Sequence, residues 1–510
     1  MLRREFIRGV GGVGASIMAP GLSAANRSNA TTAHSEPPTN ELSAFKSSFL
    51  NVPESYGPTH ISFDKPLPKG LVGTLFRNGP ALFKRGDTEY KHWFDGDGMV
   101  QSFYMQGSSL IHKARMVQTE RFIAEKEAGR FLWPAFGTAF EDGRSATGAD
   151  EVNSANISVL PVQDELWALW EGGSAWALDP ETLETRGRKV FSEQTDGLSF
   201  SAHPKVDQDG RIWNFGYVSG ADTLIIYDLN ANGQLNRVQT INTPYTNMVH
   251  DFAMTEQYLI FVLLPLTFSW PDNSKPVAFA DMIGWDDSEP VNVLVVNKST
   301  LEVEQRFEMP SFFAFHFGNA WQDGKQVRVE LATSDPWDAL NEQFLRATQG
   351  HALNQYTTDA KNAPGAIELV IDLHKKRVSV ERLPIVGADF PVYDNRFVGS
   401  RTSHLFMTNR SSTLSRNVFG FNQLIRFDRA SGNTQLYDYG ANVLAEEHLF
   451  VPRKGGAEGI GWLIGSSYDW QERVTSLSVF NASAIADGPV ATAVLPYHLP
   501  LGLHGKFVAG

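Results

Sequence analysis

The sequence predicts an all-β fold, a seven-bladed β-propeller with loop and helical insertions forming a cap over one face. Three observations carry this. Beyond residue 50 short strands dominate and helical periodicity is rare, one hairpin pattern recurs along the chain, and no break in composition divides that stretch into two domains. In the recurring pattern an apolar strand reaches an Asp or Asn, a short turn follows, and an alternating strand leaves. An Asp or Asn there accepts hydrogen bonds from its own backbone two residues on and so starts the turn.

In chain order, the first hairpin is "VQSFYMQGSSLIHKARMVQ", which has Gly107 at its turn in place of the acid. Next come "AWALDPETLETRGR", "LIIYDLNANGQLNRV", "VLVVNKSTLEVEQRF", "LVIDLHKKRVSVERL", "LIRFDRASGNTQLYD" and "LSVFNASAIADGPVATAVL". Their turn-opening residues are Asp179, Asp228, Asn297, Asp372, Asp428 and Asn481, separated by 49 to 75 residues. Sheets repeating at that spacing read as blades around an axis. A β-sandwich or two β domains would also give many short strands, and the unbroken composition favours one propeller over residues 51–510. The longer separations leave room for insertions such as "LPLTFSWPDNSKPVAFADMIGWDDSEP", which in a propeller gather over one face and can build a substrate cavity.

The chain start, "MLRREFIRGVGGVGASIMAPGLSAANRSNA", places Arg3 and Arg4 before a mildly apolar stretch and small residues suited to cleavage. It resembles a twin-arginine export signal over residues 1–25, read by a receptor and too short to span a bilayer. Export to a bacterial periplasm is expected. Residues 26–50, rich in Ser, Asn, Thr and Pro, read as a disordered linker, and no later segment is apolar enough for a transmembrane helix. With no cysteine, disulfides and thiolate chemistry are excluded. A net charge of −13 and no long Lys/Arg run argue against nucleic acid as a partner.

Of 13 histidines, His34, His351 and His374 read as solvated, and His60, His112, His404 and His448 as half-buried and satisfied by a hydrogen bond. His92, in "KHWFDGDGMV", fits neither group clearly. Four others sit against apolar strands with little charge beside them: His203, His250, His316 and His504, spaced by 47, 66 and 188 residues. The first two spacings match one blade each, the last three or four. If each enters an inner strand at one level, all four converge on the axis although remote in sequence. For any one of them core packing alone would suffice; four at blade-like spacing weigh against that reading without deciding the matter. Other chemistries lack their parts. In "DGDGMV" Met99 occupies the fifth position, where an EF-hand needs an oxygen ligand. No HExxH, P-loop or G-x-S-x-G stretch is present, and nothing pairs two carboxylates for glycoside hydrolysis.

From about Gly70 to Phe507 the chain resembles the carotenoid cleavage oxygenases, non-haem iron enzymes on a seven-bladed propeller. The resemblance rests on "LFRNGPALF", "HWFDGDGMV", "ALWEGGSAWALDPETLET", "SAHPKVD", "VHDFAMTEQY", "FHFGNAWQDG", "EHLFVPR" and "PLGLHGKF", all in the family's order. It implies Fe(2+) held by His203, His250, His316 and His504. It also implies three carboxylates accepting hydrogen bonds from the ligands' distal ring nitrogens, which fixes the rings and raises their basicity. These match Glu171, Glu447 (with Glu446 beside it as a one-residue ambiguity) and Asp389, where the family has Glu. Asp is one methylene shorter, so a water-bridged or weakened contact is expected there. In chain order, Glu171, His203, His250, His316, Asp389, Glu447 and His504 would then supply one residue per blade.

The family often crowds one of the open iron positions with a methyl-bearing side chain, and alignment through "SANISVL" puts Ile157 there. A catalytic zinc site would more often use three protein ligands and water, so zinc hydrolysis ranks below iron. The implied reaction is cleavage of a conjugated C=C bond by O2 to two carbonyl products, with no organic cofactor. "AFGT" at residues 135–138 resembles the apocarotenoid-cleaving branch. The stilbene-cleaving branch holds a phenol with a Tyr–Lys pair, and near those places stand Trp93, a mismatch, and Lys126. The expected substrate is therefore an apolar polyene, a carotenoid or apocarotenoid, with a stilbene as the alternative. A propeller that binds a ligand without turnover is a further alternative. The stretches "FLWPAFGTAF", "SFFAFHFGNAW" and "LLPLTFSW" would line the tunnel, touch a membrane surface as peripheral contacts, or simply pack blades.

Overall fold

The computed structural model describes residues 39–270, 275–353 and 364–510. Seven large antiparallel sheets follow one another along the chain, as the hairpin count predicts. Blades two to seven are four-stranded and take their strands consecutively: residues 158–188, 205–242, 253–309, 313–386, 388–438 and 443–494. Blade one has five strands and is built from both ends of the chain. Gly505–Ala509 lies at its edge, paired with Val72–Leu82, so that Leu75 faces Phe507 and Arg77 faces Gly505.

The recurring hairpin is the third and fourth strand of every blade. Its third strand is an apolar run because a blade in a ring is packed on both faces. In "TLIIYDL" (Thr223–Leu229), Leu224 and Ile226 join the core shared with blade four, whereas Ile225 and Tyr227 join the core shared with blade two. Similar apolar layers separate the remaining neighbours, and the ring closes through Leu75, Phe103 and Met105 of blade one against Trp462, Ile464 and Leu477 of blade seven.

The predicted turn openers hold at five of six places. Asp179, for example, accepts the N–H groups of Glu181 and Thr182 at 2.9 and 2.8 Å. Asp228 is a correction. It is fully buried in the third strand of blade three, where its carboxylate binds the guanidinium groups of Arg211 and Arg237. The turn is opened two residues later by Asn230, which accepts from Asn232 and Gln234.

The linker expected over residues 26–50 is a second correction. Thr39–Lys46 is an α-helix continued by a 3-10 turn, Ser47–Phe49. Phe45 and Phe49, four apart on one helical face, are buried: Phe45 packs edge-on against Trp470, and Phe49 against Phe83 and Trp93. A polar composition hides one apolar pair, and that pair suffices to dock the segment. The export signal over residues 1–25 and the rest of the linker lie outside the described residues. Among the described residues no helix is long and apolar enough to cross a membrane.

Insertions form the cap. One helix, Glu120–Ala128, starts at Thr119, whose side chain accepts the Phe122 N–H, and ends at left-handed Gly129. Another is Trp337–Gln349. The long insertion before residue 291 folds into a small hairpin, Leu266–Phe268 with Ile283–Trp285, and a one-turn helix at Phe279–Met282.

Candidate metal centre

The four singled-out histidines meet. His203 and His250 stand just before the first strands of blades three and four, His316 lies within that of blade five, and His504 precedes the closing strand of blade one. Their ligand atoms all fall within 4.8 Å of one another. Successive Nε2 atoms are 2.9 Å (His203–His250), 3.3 Å (His250–His316) and 3.1 Å (His316–His504) apart. That four sequence-remote edge strands converge here identifies those edges as the propeller's axial side.

Three of the rings are oriented by carboxylates. His250 Nδ1 faces Glu171 at 2.7 Å, His316 Nδ1 faces Asp389 at 2.8 Å, and His504 Nδ1 faces Glu447 at 3.0 Å. An ionised carboxylate only accepts, so each Nδ1 must carry the proton, and in the neutral ring Nε2 is then left with its lone pair. Three lone pairs then point into one small space and cannot hydrogen-bond to one another; a cation among them removes the repulsion. Two imidazole nitrogens about 2.1 Å from an ion and at right angles are about 3.0 Å apart, which is the spacing observed. The donor set and its geometry therefore fit a metal ion. His203 has no carboxylate partner among the described residues; burial, with the three neighbouring rings, holds its pKa well below the ordinary value.

The Glu446–Glu447 ambiguity is settled by a bulge, since the pairing register of their strand shifts between Ala445 and His448. Adjacent carboxylates thus serve different partners. Glu447 takes His504 and the Gly505 N–H, whereas buried Glu446 pairs with Arg77 and accepts from Ser466 and, at 2.6 Å, from the Gly502 N–H. Gly502 has no room for a side chain, because a Cβ there would lie 2.2 Å from the Arg77 guanidinium.

The expected slack at Asp389 is a correction: the contact with His316 is direct. A register shift between Asp389 and Val392, with Phe390 at a left-handed φ of 53°, advances the backbone enough to offset the missing methylene. Phe390 then stacks on the His316 ring, with centroids 4.9 Å apart. Because the shorter acid already reaches, Asp389→Glu should overreach and weaken metal binding, and Asp389→Ala should lower metal affinity about 10–100-fold. Competition with a chromophoric chelator measures both, and unchanged affinity in the Ala variant would remove the role.

With Glu171 in blade two, Asp389 in blade six and Glu447 in blade seven, each blade supplies one of the seven polar residues. Glu171 alone comes from the turn after its blade's second strand instead of the axial edge. Tyr217, which donates to Glu171, was not foreseen. Nothing in its strand, "IWNFGYV", marks it, since the pairing exists only across two blades.

His250, His316 and His504 form part of the wall of a cavity of about 1180 Å3. Most of the wall is apolar and much of it aromatic, including Phe94, Phe136, Phe268, Phe315, Phe344 and Phe419. All three aromatic stretches contribute to it. Ile157 lines the same cavity beside the metal centre, its carbonyl accepting the His504 N–H at 3.2 Å. Trp93 lies in the wall, but Lys126 does not: it is half-exposed and pairs with Glu54 at 2.5 Å.

The sequence profile of the retinal pigment epithelial membrane protein family matches residues 51–509. The chain is 28% identical to an isoeugenol monooxygenase of Pseudomonas nitroreducens, over 88% of this chain and 94% of that one. It is 29% identical to apocarotenoid-15,15'-oxygenase of a Synechocystis strain, covering 86% of this chain and 91% of the relative. A lignostilbene-alpha,beta-dioxygenase isozyme of Sphingomonas paucimobilis is 28% identical, with 86% and 92% covered. Among solved structures, cobalt-substituted Synechocystis apocarotenoid oxygenase superposes with a TM-score of 0.79 at 25% identity, over 92% of this chain and 99% of that one. Nearly the whole propeller is thus shared, and the chain belongs to the retinal pigment epithelial membrane protein family, that of the carotenoid cleavage oxygenases.

Proposed function

We propose that the protein is a non-haem Fe(II) dioxygenase that cleaves a conjugated C=C bond of a carotenoid or apocarotenoid with O2, giving two carbonyl fragments. The observation that carries this reading is the convergence of four imidazoles, three of them in the wall of a large aromatic cavity. His203, His250, His316 and His504 would hold the iron, which when bound supplies the site for dioxygen activation. Glu171, Asp389 and Glu447 keep the Nδ1 protons in place, so that the Nε2 lone pairs stay directed at one point. The aromatic wall excludes water and holds an extended apolar chain so that one double bond lies at the metal centre. Ile157 narrows the space beside His504.

A hydroxystilbene is the weaker substrate reading. Among the described residues no lysine lines the cavity, and its one tyrosine, Tyr217, is engaged by Glu171. Mass analysis of products from an apocarotenal and a hydroxystilbene in air, with metal content measured on the same protein, tests the proposal. About one iron per chain and aldehydes from the apocarotenal are expected. A folded protein without iron would overturn the metal assignment, and cleavage of the stilbene alone would overturn the substrate.

Two further readings rest on the sequence and on one exposed residue. Arg3 and Arg4 support export, which predicts that replacing both with Lys retains the protein in the cytoplasm. Trp270, 68% exposed where it lines the cavity, supports contact with a membrane surface that would hold an apolar substrate.

A further inference from the structure

Where blade six contributes to the cavity, the wall carries a charge. Arg410 follows the second strand of blade six, His404–Asn409, and its side chain lines the cavity. Its Nη1 donates to the carbonyls of Val418 (2.7 Å) and Gly420 (3.2 Å), and its Nη2 to that of Ser415 (2.5 Å). These carbonyls belong to the loop that supplies Phe419 and Phe421 to the wall.

Carbonyls accept hydrogen bonds without cancelling the charge. Among the described residues no Asp or Glu forms an ion pair with Arg410, whereas Arg121, also at the cavity, has Asp97 and Glu125. Desolvation alone lowers the Arg410 pKa to about 10, which leaves it protonated near neutral pH. Clamping a loop onto an apolar cavity needs donors, not a charge, and an uncompensated charge in a desolvated site is costly. A guanidinium has five N–H groups. Three are used on the loop, leaving Nε–H and one Nη2–H, and two such donors match the two oxygens of a carboxylate.

We infer that Arg410 is a specificity-determining residue that binds the oxygen-bearing end of the substrate, a carboxylate in preference to an aldehyde, while the polyene runs along the aromatic wall to the histidines. The inference rests on the cleavage reading above and narrows its substrate class to polyenes with an oxidised terminus. A reaction that consumes carotenoid fragments already cut and oxidised at one end would fit.

The test compares iron-loaded wild type, Arg410→Gln and Arg410→Lys on three polyenes of one length ending in a carboxylate, an aldehyde or a methyl group. kcat/KM is measured in air, and binding under argon by tryptophan-fluorescence quenching. The carboxylate-to-methyl ratio of kcat/KM should fall about 10–100-fold in Arg410→Gln, through KM, with a smaller fall for the aldehyde. Arg410→Lys, which keeps the charge and loses the fork, should recover part of the ratio. An unchanged ratio in both variants would overturn the inference and leave Arg410 a loop clamp. A misfolded Gln variant leaves the decision to the Lys variant and the same ratio. If wild type cleaves none of the three yet binds the carboxylate best, and Arg410→Gln abolishes that preference, the cleavage reading fails while the role of Arg410 stands.

Discussion

His250→Ala should purify as a folded propeller with metal at background. Its Nε2 is central to the array, 2.9 Å from that of His203 and 3.3 Å from that of His316, so its loss removes one ligand and the neighbour that aligns two others. The fold has little to lose. The ring is only partly buried, it lines a cavity that already exists, and Glu171 keeps its hydrogen bond from Tyr217. A destabilisation of about 1–2 kcal/mol is expected for so modest a truncation at a cavity wall. Elemental analysis beside circular dichroism separates the two effects. Metal retained at the wild-type level would end the assignment of His250 as a ligand, whereas an unfolded variant would show that it serves the fold.

Removing residues 504–510 should cost far more, because it deletes a ligand and a strand together. Gly505–Ala509 supplies the axial edge of blade one, and without it the Gly73–Arg77 segment loses one of its two partner strands. Leu75 and Phe76, both buried, lose cover. Glu447 loses both the His504 ring and the Gly505 N–H, leaving a buried carboxylate without the groups that lower its pKa against the pull of desolvation. Unpairing a buried charge alone costs about 3–5 kcal/mol, a large share of the roughly 5–15 kcal/mol by which domains are stable. The truncated chain should therefore be insoluble or melt far below wild type, while His504→Ala loses metal and stays folded. Equal melting temperatures for truncated and full-length protein would show that the closing strand is dispensable. At the other end, deletion to residue 50 should also lower the melting temperature, since it strips Phe45 and Phe49 from the core.

The legible parts of the molecule were those written as side-chain chemistry at regular spacing. Six third strands announce themselves as apolar runs ending in Asp or Asn because both faces of a blade are buried and the turn needs a local acceptor. The histidines stand out by their apolar settings, and the resemblance assigned the carboxylates. What stayed hidden is backbone. A bulge with Phe390 at positive φ decides that Asp389 touches His316 directly, and no residue type announces it. Another bulge splits the tasks of Glu446 and Glu447. Asp228 misled because Asp228 and Asn230 are both plausible turn openers, and only burial between Arg211 and Arg237 tells them apart. Lys126 sits near the expected place in sequence yet points to Glu54, which shows that position along a helix does not give direction.

The spread of the four histidines over blades one, three, four and five has a thermodynamic consequence. A ligand that binds only the native ring stabilises it by RT ln(1 + [L]/Kd), about 4 kcal/mol at a thousandfold excess over Kd. A single ion gripped by four of seven wedges acts as the hub of a wheel, and any slippage between wedges misaligns its spokes. Partly loaded protein is then a mixture of two populations, melting at different temperatures, and the height of the upper transition reads out occupancy without any turnover.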